Sequence, residues 1–213
     1  MAGERWATFD CYGTLIDWNG GIRGELARVF GEERADELLG RYHELEPELE
    51  ADGTRSYRQV LIEAMRRLGA PSGEQEALAR SLPDWPPFPE VPDALAETRG
   101  RGWKLAILSN TDRDFIEASM RRLGVPFELA IVASEIDSYK PGLVHWSTFE
   151  REVGRLPDVH VAASLLHDIG PANELGLLSI WINRLGEAAG PVPTRELSDL
   201  RSLPAILDEL VRP

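Results

Sequence analysis

Short apolar runs separated by helix-length segments set the tightest limit on what this chain can become. Trp6 to Phe9, Lys104 to Leu108, Leu129 to Ala133, Val159 to Leu165 and Leu178 to Ile182 carry the β-branched and aromatic content of buried strands. Between them, Pro92 to Thr98, Arg113 to Leu123, Leu143 to Val153 and Pro171 to Gly176 read as helices. Such alternation predicts an α/β architecture, a parallel sheet with helices on both faces. Sheets of this kind bind ligands at the carboxyl ends of their strands. Asp10, the pair Ser109 and Asn110, and the pair His167 and Asp168 all stand just past those ends.

From about Ile16 to Ser81 the alternation stops and apolar residues recur at helical spacing. Leu38, Tyr42, Leu45 and Leu49 form one stripe, and Val60, Ala64 and Leu68 another. Ser72 followed by Gln75 has the pattern of a capping box that opens a further helix. The proline-rich run from Pro83 to Pro89 is a stiff linker that no helix crosses. The expectation is an all-helical insert between the first strand and the rest of the sheet.

A chain of 213 residues, 43% of them hydrophobic, can bury a core as one domain or one plus an insert. Its 36 acidic residues against 23 Lys and Arg give a net charge of −13, which repels nucleic acid and anionic membranes at long range. The same field repels an anionic substrate, so a site for one needs its own local cation. Cys11 is the only cysteine, which excludes an internal disulfide and fits a reducing, cytoplasmic setting. The N-terminal segment around Glu4 and Arg5 lacks the apolar stretch of a signal peptide, and no run approaches membrane-spanning length.

Asp10-Cys11-Tyr12-Gly13-Thr14-Leu15 resembles the first motif of the haloacid dehalogenase superfamily, in which Asp is the nucleophile. Leu108-Ser109-Asn110 resembles the second motif and Tyr139-Lys140-Pro141 the third. Val161 to Asp168, continuing to Trp181-Ile182-Asn183-Arg184, resembles the fourth. Four motifs in the right order at strand ends make coincidence improbable. The resemblance runs from Trp6 to Arg184 and implies a Rossmann-like core formed by 1–15 and 86–213. A helical cap would occupy 16–85.

Phosphoryl transfer by a carboxylate needs Mg²⁺ to neutralise an anionic substrate and an acid to protonate the leaving alkoxide. Phosphatases of the superfamily place Asp two residues after the nucleophile and a metal-binding Asp in the fourth motif; here Tyr12 and Ala163 stand at those places. A halide leaves without a proton and carbon attack needs no metal, so no cofactor is expected. Both changes resemble the L-2-haloacid dehalogenase branch. By that resemblance Asp10 attacks C2 of a small anionic 2-haloacid, Asp168 activates the hydrolytic water, and Lys140 neutralises the carboxylates. Arg41 would hold the substrate carboxylate or the halide, Ser109 and Asn110 would donate hydrogen bonds, and Tyr12, Tyr42 and Leu45 would form an apolar wall. His167 stands where the branch often has Trp, Trp146 where it has Tyr, and Ala163 and Leu165 where it has Ser and Asn. Two alternatives stay open: a phosphatase using Asp17 or His167, and a silent binding protein, for which Leu165 is the reason. A homodimer follows from the resemblance alone.

Overall fold

The computed structural model describes residues 3–51, 53–188 and 190–212. It contains one sheet of strands β1 (Arg5–Phe9), β2 (Trp103–Ser109), β3 (Leu129–Val132), β4 (Val159–Ala162), β5 (Leu178–Ile182) and β6 (Arg195–Leu197). The spatial order is β3-β2-β1-β4-β5-β6, and every neighbouring pair is parallel. The chain first builds outward from β1 through β2 to β3, then returns to lay β4 on the other side of β1. That reversal leaves a crevice at the carboxyl ends of β1 and β4, where Asp10 and Asp168 emerge.

Helices α1 (Trp18–Phe30), α2 (Ala35–Glu50), α3 (Tyr57–Arg67) and α4 (Ala77–Ser81) follow β1. Among and after the remaining strands lie α5 (Val91–Gly100), α6 (Arg113–Leu123), α7 (Ala133–Ile136), α8 (Val144–Val153), α9 (Gly170–Glu174) and α10 (Leu203–Leu210). Alternate residues of the strands feed two buried clusters. Trp6, Ala106, Leu108 and Ile131 pack with Trp146 and Phe149 of α8, whereas Ala7, Phe9, Leu105 and Ile107 pack toward α5, α6 and α10. A sheet buried on both faces explains why its strands are continuous apolar runs. Among the described residues no helix is long and apolar enough to cross a membrane.

The insert departs and returns side by side. Asp17 N donates to Pro86 O at 2.9 Å and Phe88 N to Leu15 O at 3.0 Å, with Ile16 bridged to Pro87. Asp17 caps α1 by accepting from Gly20 N. Gly21 must be glycine, because a Cβ there would come within 2.3 Å of the Trp85 ring that packs on α1. Inside the insert, Ile22, Leu26, Leu38, Tyr42, Val60, Leu61, Ala64, Met65 and Leu78 share one buried cluster.

Two expectations differ from the fold, and one strand goes unanticipated. The capping box belongs to Ser56 and Gln59 at the start of α3, whereas Ser72 opens only a short 3₁₀ turn before α4. The apolar run from Val159 stops being a strand at Ala162, where a π-helical turn over Leu165–Ile169 begins after Ser164. Strand β6 lies on the sheet edge with an exposed, polar sequence that carries no strand pattern.

Candidate active site

The turn after β1 aims Asp10 into the crevice. Asp10 N continues the ladder by donating to Val161 O at 3.0 Å, and the chain then reverses through Gly13 at φ +85°, a left-handed conformation that glycine adopts without strain. The Thr14 hydroxyl donates to Asp10 Oδ2 at 2.8 Å and accepts from Ala163 N at 2.8 Å, which locks the β1 turn to the end of β4.

Lys140 supplies the opposing charge. Its buried ammonium donates to Asp10 Oδ1 at 3.0 Å, Asp168 Oδ1 at 2.6 Å and Leu108 O at 2.9 Å, so all three of its hydrogens are engaged. Burial opposes the charged form, yet Asp10 and Asp168 outweigh it and hold the ammonium above its ordinary range. Burial pushes the Asp10 carboxyl up, Lys140 pulls it down and Asp168 pushes it up again, for a net rise. Asp168 also suffers burial, but Lys140 and His160 prevail and hold it well below the usual carboxylate range.

Asp168 is positioned by more than Lys140. His160 Nε2 donates to Asp168 Oδ1 at 3.0 Å, and His160 Nδ1 accepts from the Thr8 hydroxyl at 2.9 Å. Thr8 and His160 are register partners across β1 and β4. The second oxygen, Asp168 Oδ2, is buried with no hydrogen-bond partner among the described residues.

The cluster of Asp10, Lys140 and Asp168 opens into a cavity of about 550 Å³, also bordered by Tyr12, Ser109, Asn110 and His167 among others. The Tyr12 hydroxyl is turned away to Ser119 Oγ at 3.0 Å, and the ring lies parallel to Tyr57. Asn110 clamps the Lys140 backbone, accepting from its N–H at 2.6 Å and donating to its carbonyl at 3.0 Å. Ser109 holds a second neighbour through its carbonyl, which accepts from His145 Nε2 at 3.1 Å. Burial keeps His167 below its ordinary value, and pushes His145 down to about 3.

Three candidates lie elsewhere. Arg41 is exposed and does not border the cavity, Tyr42 is fully buried inside the insert, and Leu45 packs against that same cluster. The cause is helical phase. In α2 the stripe Leu38, Tyr42, Leu45 and Leu49 faces the core of the insert, whereas His43, Glu46, Pro47 and Glu50 face the cavity. Arg41 falls on the remaining, solvent-facing side.

The sequence reading passed over Thr14, His160, Glu46, Glu50 and Arg184. Thr14 sits inside the first motif but looks like part of the turn. His160 has a signal, a lone polar residue within an apolar strand, that becomes interpretable only once Thr8 is seen opposite. Glu46 and Glu50 read as solvated helix positions in a chain rich in acids. Arg184 borders the cavity, with one nitrogen 2.8 Å from Glu90, another donating to Thr14 O at 2.9 Å, and its guanidinium over the Phe88 ring.

Comparison with known proteins gives the family and the fold. The family model for haloacid dehalogenase-like hydrolases matches residues 5–162. The (S)-2-haloacid dehalogenase of Pseudomonas sp. (strain YL) is 30% identical over 212 residues, covering 92% of this chain and 90% of its own. Haloacetate dehalogenase H-2 of Moraxella sp. (strain B) is 28% identical, covering 84% and 86%. L-2-haloacid dehalogenase from Xanthobacter autotrophicus with chloropropionic acid covalently bound superposes with a TM-score of 0.81 at 19% identity, over 96% of this chain and 98% of that one. That last likeness establishes the shared fold.

Proposed function

This chain belongs to the haloacid dehalogenase-like hydrolases, and on that footing we propose that it cleaves the carbon–halogen bond of a 2-haloacid to give the 2-hydroxy acid. The observation that carries the reading is the Lys140 ammonium bridging Asp10 and Asp168 at the edge of the cavity, with Asp168 Oδ2 buried and without a hydrogen-bond partner among the described residues. The relatives' names point to the same chemistry.

In this reading an Asp10 oxygen attacks C2, and the halide departs with the bonding pair to leave an aspartyl ester. Thr14 and Lys140 hold the carboxylate in place for that attack. Water then adds to the ester carbonyl, giving its proton to Asp168 Oδ2, and Lys140 lies beside the oxyanion that forms. Collapse expels the alkoxide, whose oxygen came from Asp10 and which takes the proton back from Asp168 to leave as the 2-hydroxy acid; the Asp10 acid that remains loses its proton to solvent and returns as a carboxylate carrying one oxygen from water. Asp168 suits the base role because Lys140 and His160 keep it ionised while its second oxygen stays free.

Residues 1–15 and 86–213 serve as the catalytic core in this scheme and 16–85 as the cap that closes the cavity. Recognition of the substrate carboxylate falls to the Ser109 hydroxyl and His167, since Arg41 lies outside. Tyr12 and Ala163 offer no carboxylate for metal binding or for protonating an alkoxide, which favours halide over phosphate as the leaving group.

The test is a halide-release assay with 2-chloropropionate run beside phosphate release from p-nitrophenyl phosphate. Halide together with lactate is expected. Phosphate release without halide would overturn the reading.

A further inference from the structure

Charge around the reaction cavity is distributed in a way that a simple haloacid does not explain. Each cation on the lining is already committed. Lys140 serves Asp10 and Asp168, Arg184 is paired with Glu90 and Thr14, and burial holds both His43 and His167 below their ordinary values. Facing them, α2 presents Glu46 and Glu50, one helical turn apart. Glu46 Oε1 accepts from the Tyr57 hydroxyl at 2.7 Å and the Tyr42 hydroxyl at 3.1 Å; Glu50 Oε2 accepts from Asn110 Nδ2 at 3.3 Å. Among the described residues neither forms an ion pair with Lys or Arg.

Burial pushes Glu46 up to about 7 and Glu50 up to about 9. Removing a carboxylate from water without a cation is unfavourable, and the group responds by holding a proton or by taking a cationic partner. Inside a packed core only the proton is at hand. These two acids instead border an open cavity, so a ligand can bring the cation. The rings of Trp18 and Tyr57 border the same space, and aromatic faces attract ammonium groups.

We propose that the substrate is a 2-haloacid that also bears a protonated amine, its ammonium held by Glu46 and Glu50 beside Trp18 and Tyr57 while C2 faces Asp10. The glutamates belong to the reaction cavity itself, and the proposal rests on the dehalogenase reading. A zwitterion carries no net charge, so the field of a protein at −13 does not repel it. Asn110 joins the two ends of such a molecule, since it touches both Glu50 and the Lys140 backbone. An ordinary haloacid leaves the two acids holding their protons and gains nothing from them, whereas an ammonium lets them ionise against it, so they select the amine.

The experiment compares isosteres, 4-amino-2-chlorobutanoate and 2-chloropentanoate, which differ by an ammonium in place of a methyl. Halide release is followed with the wild-type protein and with Glu46→Gln and Glu50→Gln. The amine is expected to have at least tenfold higher kcat/KM, and each substitution to shrink that ratio about tenfold. Equal or better turnover of 2-chloropentanoate by the wild type overturns the proposal, whatever the variants do, and leaves the dehalogenase reading standing. No halide from either compound or from 2-chloropropionate removes both.

Discussion

Lys140 Nζ lies 2.6 Å from Asp168 Oδ1, with both side chains about 1% exposed. A buried pair so close stays stable only while both members are present, because removal of one strands the other charge in the interior. Lys140→Ala leaves Asp10 and Asp168 facing each other without a cation. Breaking such a pair costs about 3–5 kcal/mol, which for a chain of this size lowers Tm by about 10 °C. Calorimetry should record that fall, together with loss of halide release. Lys140→Arg should rescue neither, since a planar guanidinium cannot meet three acceptors arranged around one nitrogen. A Tm within a degree of wild type would show that the ammonium is not the counter-ion.

The route of oxygen distinguishes ester formation from direct attack by water. With enzyme in excess over substrate in ¹⁸O water, the first-turnover product should be largely unlabelled, and the peptide containing Asp10 should gain two daltons. Asp168→Asn should accumulate the ester, because no base remains for the water. Labelled product in the first turnover, with an unlabelled Asp10 peptide, would exclude attack by Asp10.

Arg41→Ala should retain kcat/KM within about twofold, as expected for an exposed side chain away from the cavity. Steady-state kinetics with 2-chloropropionate decides the matter. A hundredfold loss would mean that α2 rotates on binding and brings Arg41 inward.

Stability should respond to pH through Glu50. Its folded-state value of about 9 lies above the ordinary 4.5, so between those limits the folded protein retains a proton that the unfolded chain has released. Stability therefore declines as pH rises through that window. Glu50→Gln removes the decline: its Tm should exceed that of wild type by roughly 10 °C at pH 8.5 and match it at pH 4.5. Identical melting curves at both pH values would mean that Glu50 ionises freely in the fold.

Excess chelator should leave halide release unchanged, because Tyr12 and Ala163 take the places of two carboxylates. Activity that falls with EDTA and returns with Mg²⁺ would favour phosphoryl transfer.

The sheet was legible because strands buried on both faces must be apolar throughout, and the motifs were legible because each is local. Asp10 with Gly13, and Ser109 with Asn110, are close in sequence as well as in space. What escaped was phase and distance. Sequence order alone puts Arg41 in the right helix, but the side that faces the cavity is fixed by where Leu38, Tyr42 and Leu49 bury, and that side belongs to Glu46 and Glu50. His160 and Thr8 are separated by most of the chain and meet only through strand pairing. β6 has too little apolar pattern to announce itself, being held by pairing with β5 along an exposed edge.

The narrow neck at Ile16 and Pro87, where the insert leaves and rejoins the sheet, has an evolutionary consequence. In the proposed mechanism, everything that makes and breaks the ester is anchored on one side of it, in Asp10, Lys140, Asp168 and the Thr8–His160 brace. Glu46, Glu50, Trp18 and Tyr57 all come from the other. Drift in the helices can therefore alter the diet of the enzyme without touching its hydrolytic machinery, so descendants of one ancestor can exchange substrates while inheriting the same chemistry.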